Sequence, residues 1–175
     1  MARKMLAVLG SALFLIIAPG IVAGFIPWWI SKWNAQAPFL GFAPIRTLGV
    51  FIVVLSILVL LESFARFALQ GLGTPAPVFP TRHLVVSGFY RYVHNPMYLA
   101  VVWAILGQGM ILGNPSLLGY GALVWLTVHL FVLAYEEPTL RRTFGAEYEA
   151  FCANVPRWVP RLSPWSGGTR QDRDC

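Results

Sequence analysis

Charge is scarce in this sequence. Asp, Glu, Lys and Arg together make up 11% of its 175 residues, against about 25% in a soluble domain. Too few charges are available to coat a globule, which excludes an ordinary soluble fold. Acidic residues are the scarcer kind, 7 against 13 Lys and Arg. Cysteine is limited to Cys152 and Cys175. Neither belongs to a C-x-x-C pair, and no His/Cys cluster has zinc spacing, so neither a disulfide framework nor a metal is expected. The net charge of +6 does not point to nucleic acid, because the basic residues neither cluster nor alternate with polar ones. No internal repeat is visible. Phospholipid head groups and topology account for basic residues placed between apolar runs.

Hydrophobic residues supply 57% of the chain, gathered in four runs at residues 5–26, 47–61, 98–112 and 116–135. About 20 apolar residues cross a bilayer. The first run is too long for the apolar part of a secretion signal and is expected to stay as a transmembrane helix. The third is short and is expected to borrow residues from the polar cluster before it. The chain therefore reads as an all-α integral membrane protein of about four, at most five, transmembrane helices. A C-terminal helical hairpin and an amphipathic cytoplasmic helix complete it. With four crossings and a cytoplasmic N-terminus, only Lys32 and Arg46 of the 13 basic residues face outside, so both termini are expected in the cytoplasm of a multi-pass membrane protein. Three stretches follow: N-terminal helices over 1–70, a catalytic membrane region over 71–162, and a flexible polar tail over 163–175.

Two clusters carry the chemistry. In SGFYRYVHNPMYLAVVW, residues 87–103, Asn95 and Pro96 read as an N-cap and first helical residue. The free N–H groups of the first turn then favour an electron-rich ligand. The alternative is a well-capped membrane helix with no further role. The second cluster is Tyr135-Glu136-Glu137-Pro138. Two carboxylates at a helix C-terminus oppose its dipole and repel each other. Pro138 is expected to push Glu137 out of helical geometry and to start a new helix. In that helix Leu140, Phe144, Tyr148 and Phe151 form one stripe on a membrane surface. The plain alternative pairs Glu136 and Glu137 with Arg141 or Arg142. Because Asn114-Pro115 leaves only a short turn between runs three and four, both clusters are expected at the same interface. A zwitterion with an aromatic base, such as S-adenosylmethionine, suits both walls.

At this point the sequence resembles the isoprenylcysteine carboxyl methyltransferase family, itself similar to the phospholipid N-methyltransferases. GLGTPAPVFPTRHLVVSGFYRYVHNPMYLA and EEPTLRRTFGAEYEAFCANVPRWVPR carry the likeness, over roughly residues 71–161. The family's Arg-His-Pro-x-Tyr box reads here His94-Asn95-Pro96-Met97-Tyr98, and its Phe-Gly-x-x-Tyr stretch reads Phe144-Gly145-Ala146-Glu147-Tyr148. A titratable imidazole thus replaces a permanent cation, and Arg91 is a possible substitute for that charge. The resemblance implies S-adenosylmethionine as cofactor, with Tyr90, His94, Asn95, Pro96, Tyr98, Glu136 and Glu137 around it. Tyr148 and residues 155–157 would close the site. The implied partner is a lipophilic or prenylated acceptor from the bilayer, with membrane lipids around it.

Two acceptor chemistries stay open. A carboxylate needs only an orienting fork, for which Arg157 is the first candidate and Arg91 the second. An amine, as in phosphatidylethanolamine, must lose a proton, to Glu149, Glu137 or His94. An isoprenylcysteine-like carboxylate is the preferred expectation; a phospholipid amine or another small lipophilic molecule is the alternative. A membrane scaffold without catalysis is the rival of a different class. Glu62 and Arg66 are expected to pair at i,i+4, His129 to make a hydrogen bond inside the bundle, and Trp28, Trp29, Trp33, Trp158 and Trp165 to anchor at the interface.

Overall fold

The computed structural model describes residue 10 and residues 13–70 and 84–166, with residues 67–70 described by backbone alone. Arg3, Lys4, Arg82, Arg170, Arg173 and the proline-rich stretch 71–80 lie outside the described residues. Among the described residues all regular structure is helical. Three helices are long and apolar enough to cross a membrane: α1 (Leu13–Ser31), α2 (Pro44–Gln70, apolar over Pro44–Arg66) and α4 (Pro115–Phe144). The shorter apolar α3 (Pro96–Leu112) has 17 residues, or about 25 Å at 1.5 Å per residue. It begins at Pro96, inside the polar cluster, as its shortness required. α5 (Ala146–Asn154) follows α4. The chain is an all-α membrane protein.

Two prolines sit inside transmembrane helices without breaking them. A helical proline lacks an N–H and its ring collides with the carbonyl four residues back. In both helices a five-residue π-turn precedes the proline by one residue: Ile21–Phe25 before Pro27, and Val132–Glu136 before Pro138. The widened turn redirects the bonding, so that Ile26 N–H reaches the Ile21 carbonyl and Glu137 N–H reaches that of Val132. Pro138 therefore does not push Glu137 out of the helix; Glu137 keeps φ −60° and ψ −47°. The carbonyl of Ala23, deprived of its partner by Pro27, accepts instead from Gln108 Nε2 at 2.7 Å, and Tyr120 donates to Val22 at 3.0 Å. These two bonds pin α1 to the hairpin. The same extension places Pro27, Trp28 and Trp29 within α1.

The hairpin of α3 and α4 turns at Gly113, whose φ of 66° is left-handed. Asn114 then caps α4 by accepting from Ser116 N–H at 2.9 Å. α2 crosses α3 at its closest where Gly49 faces Gly107. A Cβ on Gly107 would lie 2.9 Å from the Gly49 carbonyl oxygen, and one on Gly49 would lie 2.8 Å from that of Gly107. Small residues that let backbones touch are a common means of joining helices in lipid. The helix expected to run on from Pro138 is interrupted at Gly145, whose φ of 52° and ψ of −125° suit glycine alone. Tyr148, Phe151 and Val155 still pack into one cluster, with Leu140 and Phe144 against it. The chain then doubles back as a strap. Arg161 N–H bonds to Tyr92 O at 2.9 Å and Trp165 N–H to Arg91 O at 3.0 Å. Trp165 thus packs on the Phe151 ring at 5.9 Å.

Gly107→Leu is expected to force α2 and α3 apart, costing about 1–3 kcal/mol and lowering the unfolding midpoint in detergent. Gly119→Leu is the control, since a Cβ there meets nothing within 4 Å.

Candidate functional site

The start of α3 and the end of α4 meet where the short hairpin turn requires. Tyr98, in the first turn of α3, donates its hydroxyl to Glu136 Oε2 at 2.9 Å. Asn95 occupies the N-cap position, but its side chain does not cap the helix. It donates from Nδ2 to the Arg157 carbonyl at 3.3 Å, and the neighbouring His94 N–H reaches the Pro156 carbonyl at 3.0 Å. Box and strap are thereby joined through backbone groups that carry no sequence signal.

Glu136 and Glu137 have separate tasks. Glu136 lines a cavity of about 250 Å³. Glu137 is buried and grips Arg157 with both oxygens, at 2.5 Å from Nε and 3.0 Å from Nη2. This bidentate bond raises the Arg157 pKa and keeps the guanidinium charged. Arg141 stands 3.8 Å from Glu137 and 3.5 Å from Glu149, so it completes an ion-pair chain. Arg142 has no place in that chain.

The cavity is apolar along most of its length. Phe14, Pro19 and Val22 of α1, Phe64 of α2, Val101 of α3 and Val128 of α4 form its walls. Tyr90, His94, Asn95, Tyr98 and Glu136 give it one polar end. The Tyr90 hydroxyl is buried there without a partner, as is His94 Nδ1. Burial, with Glu136 nearby, raises the Tyr90 pKa well above the usual phenol value, so it remains an O–H donor. The His94 ring lies between Tyr148 and Phe151, with centroids at 6.4 and 4.5 Å. Its Nε2 faces the Phe151 carbonyl at 3.5 Å, the outer limit of a hydrogen bond. Burial lowers the His94 pKa, opposed by that carbonyl and Glu137 and assisted by Arg157, so the imidazole is neutral at pH 7. Where the resembled family has a cation, this chain has an uncharged ring.

The remaining sequence candidates differ in how near they lie to the cavity. Pro96 is buried at the cavity and Tyr148 is buried beside it. Arg91 donates from Nε to the Trp165 carbonyl at 2.7 Å, and it borders a separate depression with Glu62 and Arg66. Glu149 has a half-exposed side chain and faces Arg141. Glu62 and Arg66 pair at 2.7 Å, as i,i+4 spacing predicts. His129 accepts at Nδ1 from Trp158 Nε1, 2.9 Å away, and stacks on Trp125. That bond ties the strap to α4. The aromatic and valine walls were missed, because in sequence they look like any residue facing lipid.

A model of the family described as "Phospholipid methyltransferase" matches residues 45–147, more than half of the chain. Protein-S-isoprenylcysteine O-methyltransferase B of Arabidopsis thaliana is 30% identical over 80 residues, 44% of this chain and 39% of that protein. Protein-S-isoprenylcysteine O-methyltransferase of Schizosaccharomyces pombe is 36% identical over 81 residues, 45% of this chain and 34% of that protein. A probable protein-S-isoprenylcysteine O-methyltransferase of Oryza sativa subsp. indica is 31% identical over 78 residues, 44% and 40% of the two chains. The matches span about two fifths of the length of these curated relatives or less. No solved structure matches.

Glu137→Gln is expected to strand the Arg157 guanidinium and cost about 2–3 kcal/mol, less than a fully buried pair because Arg157 is partly exposed. Thermal unfolding of this variant, of Arg157→Gln and of the double variant checks it. The double variant is expected to lose less than the sum of the two.

Proposed function

This chain belongs to the phospholipid methyltransferase family, and we propose that it transfers a methyl group from S-adenosylmethionine to a lipophilic acceptor that reaches the site from the bilayer. One observation carries the reading: Tyr98 and Glu136, from the two clusters read in the sequence, touch at the rim of an apolar cavity. The printed names of the relatives, all O-methyltransferases, support the reaction type.

The residues present fit such a cofactor. Glu136 is a carboxylate for an ammonium, oriented by the Tyr98 hydroxyl. The Tyr90 hydroxyl is a buried donor without a partner, suited to a carboxylate or a ribose oxygen. Asn95 and Pro96 set the start of α3 beside them, and Tyr148 closes the side facing the strap. Glu137 supports the site indirectly, by fixing Arg157. When bound, S-adenosylmethionine supplies an activated methyl on a sulfonium. The chain's own task is to align the acceptor, exclude water and set its protonation. An apolar, valine-lined cavity with one polar end suits the first two tasks.

The acceptor candidates are narrowed by where the side chains lie. The Arg157 fork, first choice for orienting an isoprenylcysteine-like carboxylate, is already engaged by Glu137. Glu149, a candidate base for a phospholipid amine, is away from the cavity. His94 borders it. Both termini in the cytoplasm, with the polar end of the cavity at that interface, complete the proposed arrangement.

Calorimetry of S-adenosylmethionine binding to the detergent-purified protein tests the reading. Glu136→Gln and Asn95→Ala are each expected to weaken binding at least tenfold, about 1.4 kcal/mol. No binding by folded wild-type protein would overturn the methyltransferase reading and favour a scaffold.

A further inference from the structure

His94 is the clearest departure of this chain from the family it resembles, and three observations give the departure a chemical meaning. The Nε2 atom faces a carbonyl, which can only accept, so the ring proton belongs on Nε2. The other nitrogen, Nδ1, is then a lone pair, and it is buried without a partner. The residue lines the cavity. A lone pair repels a bound carboxylate and attracts a bound X–H group, and the Glu136 carboxylate lines the same cavity. The cavity walls are apolar, which disfavours an acceptor that carries charge.

Resting on the methyl-transfer reading above, we infer that His94 Nδ1 accepts the proton of the methyl acceptor, and that this acceptor is a neutral, lipophilic alcohol, phenol or thiol rather than a carboxylate. As the X–CH3 bond forms, the sulfonium C–S bond breaks and its electron pair leaves with sulfur as a neutral thioether. The proton on X passes to Nδ1, and the imidazolium returns it to water when the product leaves. Glu137 lies close enough to favour that transient charge, and Arg157 opposes it. The rings of Tyr148 and Phe151 hold the imidazole in place. The cofactor's polar partners occupy one end of the cavity of about 250 Å³, which leaves the acceptor its apolar walls.

Three two-ring probes separate the possibilities: 1-naphthol, 1-naphthalenethiol and 1-naphthoate. Transfer of labelled methyl to each is measured on the detergent-solubilised full chain, beside fluorescence titration of 1-naphthol binding without cofactor. Wild type is expected to methylate the naphthol or the thiol at least tenfold faster than the naphthoate. His94→Gln is expected to lose at least a hundredfold in transfer to 1-naphthol while binding it within threefold of wild type. His94→Arg is expected to reverse the preference toward naphthoate.

If either variant fails to fold, the wild-type pH profile serves. Glu137, Arg157 and Tyr148 stand close to the His94 ring, and Tyr90, Tyr98 and Glu136 share its cavity. Because its pKa is lowered, kcat/KM for 1-naphthol is expected to be level at neutral pH and to fall only below the ordinary imidazole value of about 6.5. A wild-type preference for naphthoate, or a profile that keeps rising with ionisation of the naphthol itself, overturns the inference. So does transfer to none of the three probes. Retained cofactor binding in that last case leaves the methyl-transfer reading standing, whereas its absence overturns both.

Discussion

The bond between Glu137 and Arg157 governs the geometry around the polar end of the cavity. A buried carboxylate needs a partner that satisfies both oxygens, and a bidentate guanidinium does so with fixed direction. The two residues stand 20 positions apart, so the pair determines where the chain after α5 must pass. Once Arg157 is fixed, its carbonyl meets Asn95 and the preceding carbonyl meets the His94 N–H. The strap then continues past Tyr92 and Arg91, and Trp158 docks on His129. The polar end of the cavity is thus shaped by a charge pair that does not line it. The adjacent Glu136, one residue earlier, is left to face the cavity.

Much of this was legible in the sequence because it rests on local signals. Asn-Pro pairs start α3 and α4 where they stand in the chain, and the short turn at Gly113 brings the two clusters together. Glu62 with Arg66 follows helical spacing. The less legible parts depend on backbone freedom. Pro138 signalled a break, yet a π-turn absorbed it, since one extra residue in the turn redirects the bonding ahead of the proline. Gly145 signalled little, yet its unusual dihedrals split the expected amphipathic helix in two. Three bonds of the strap to residues 91–94 run main chain to main chain and are invisible in residue identities, beside the one from the Arg91 side chain. The two jobs of the Glu pair follow from which face of α4 each occupies after the π-turn, and that rotation was not predictable without it.

The two π-turns also link the membrane to the site. Each converts a proline from a break into a bend, and each rotates the helix that follows. In α1 the freed carbonyl of Ala23 is secured by Gln108 and its neighbour by Tyr120, so polar side chains inside the membrane are employed as ties rather than as ligands. In α4 the rotation separates Glu136 from Glu137. A cavity wall and a charge pair therefore arise from one irregular turn.

The strap's reliance on main-chain bonds has a consequence for how such a site can diversify. A segment held by its amide groups keeps its path when its side chains are exchanged, provided Arg157 and Trp158 remain as its two fixed points. Residues between those points and Trp165 are then at liberty to vary without dismantling the chemistry beneath them. Variation over such a frame leaves the polar end of the cavity where it is.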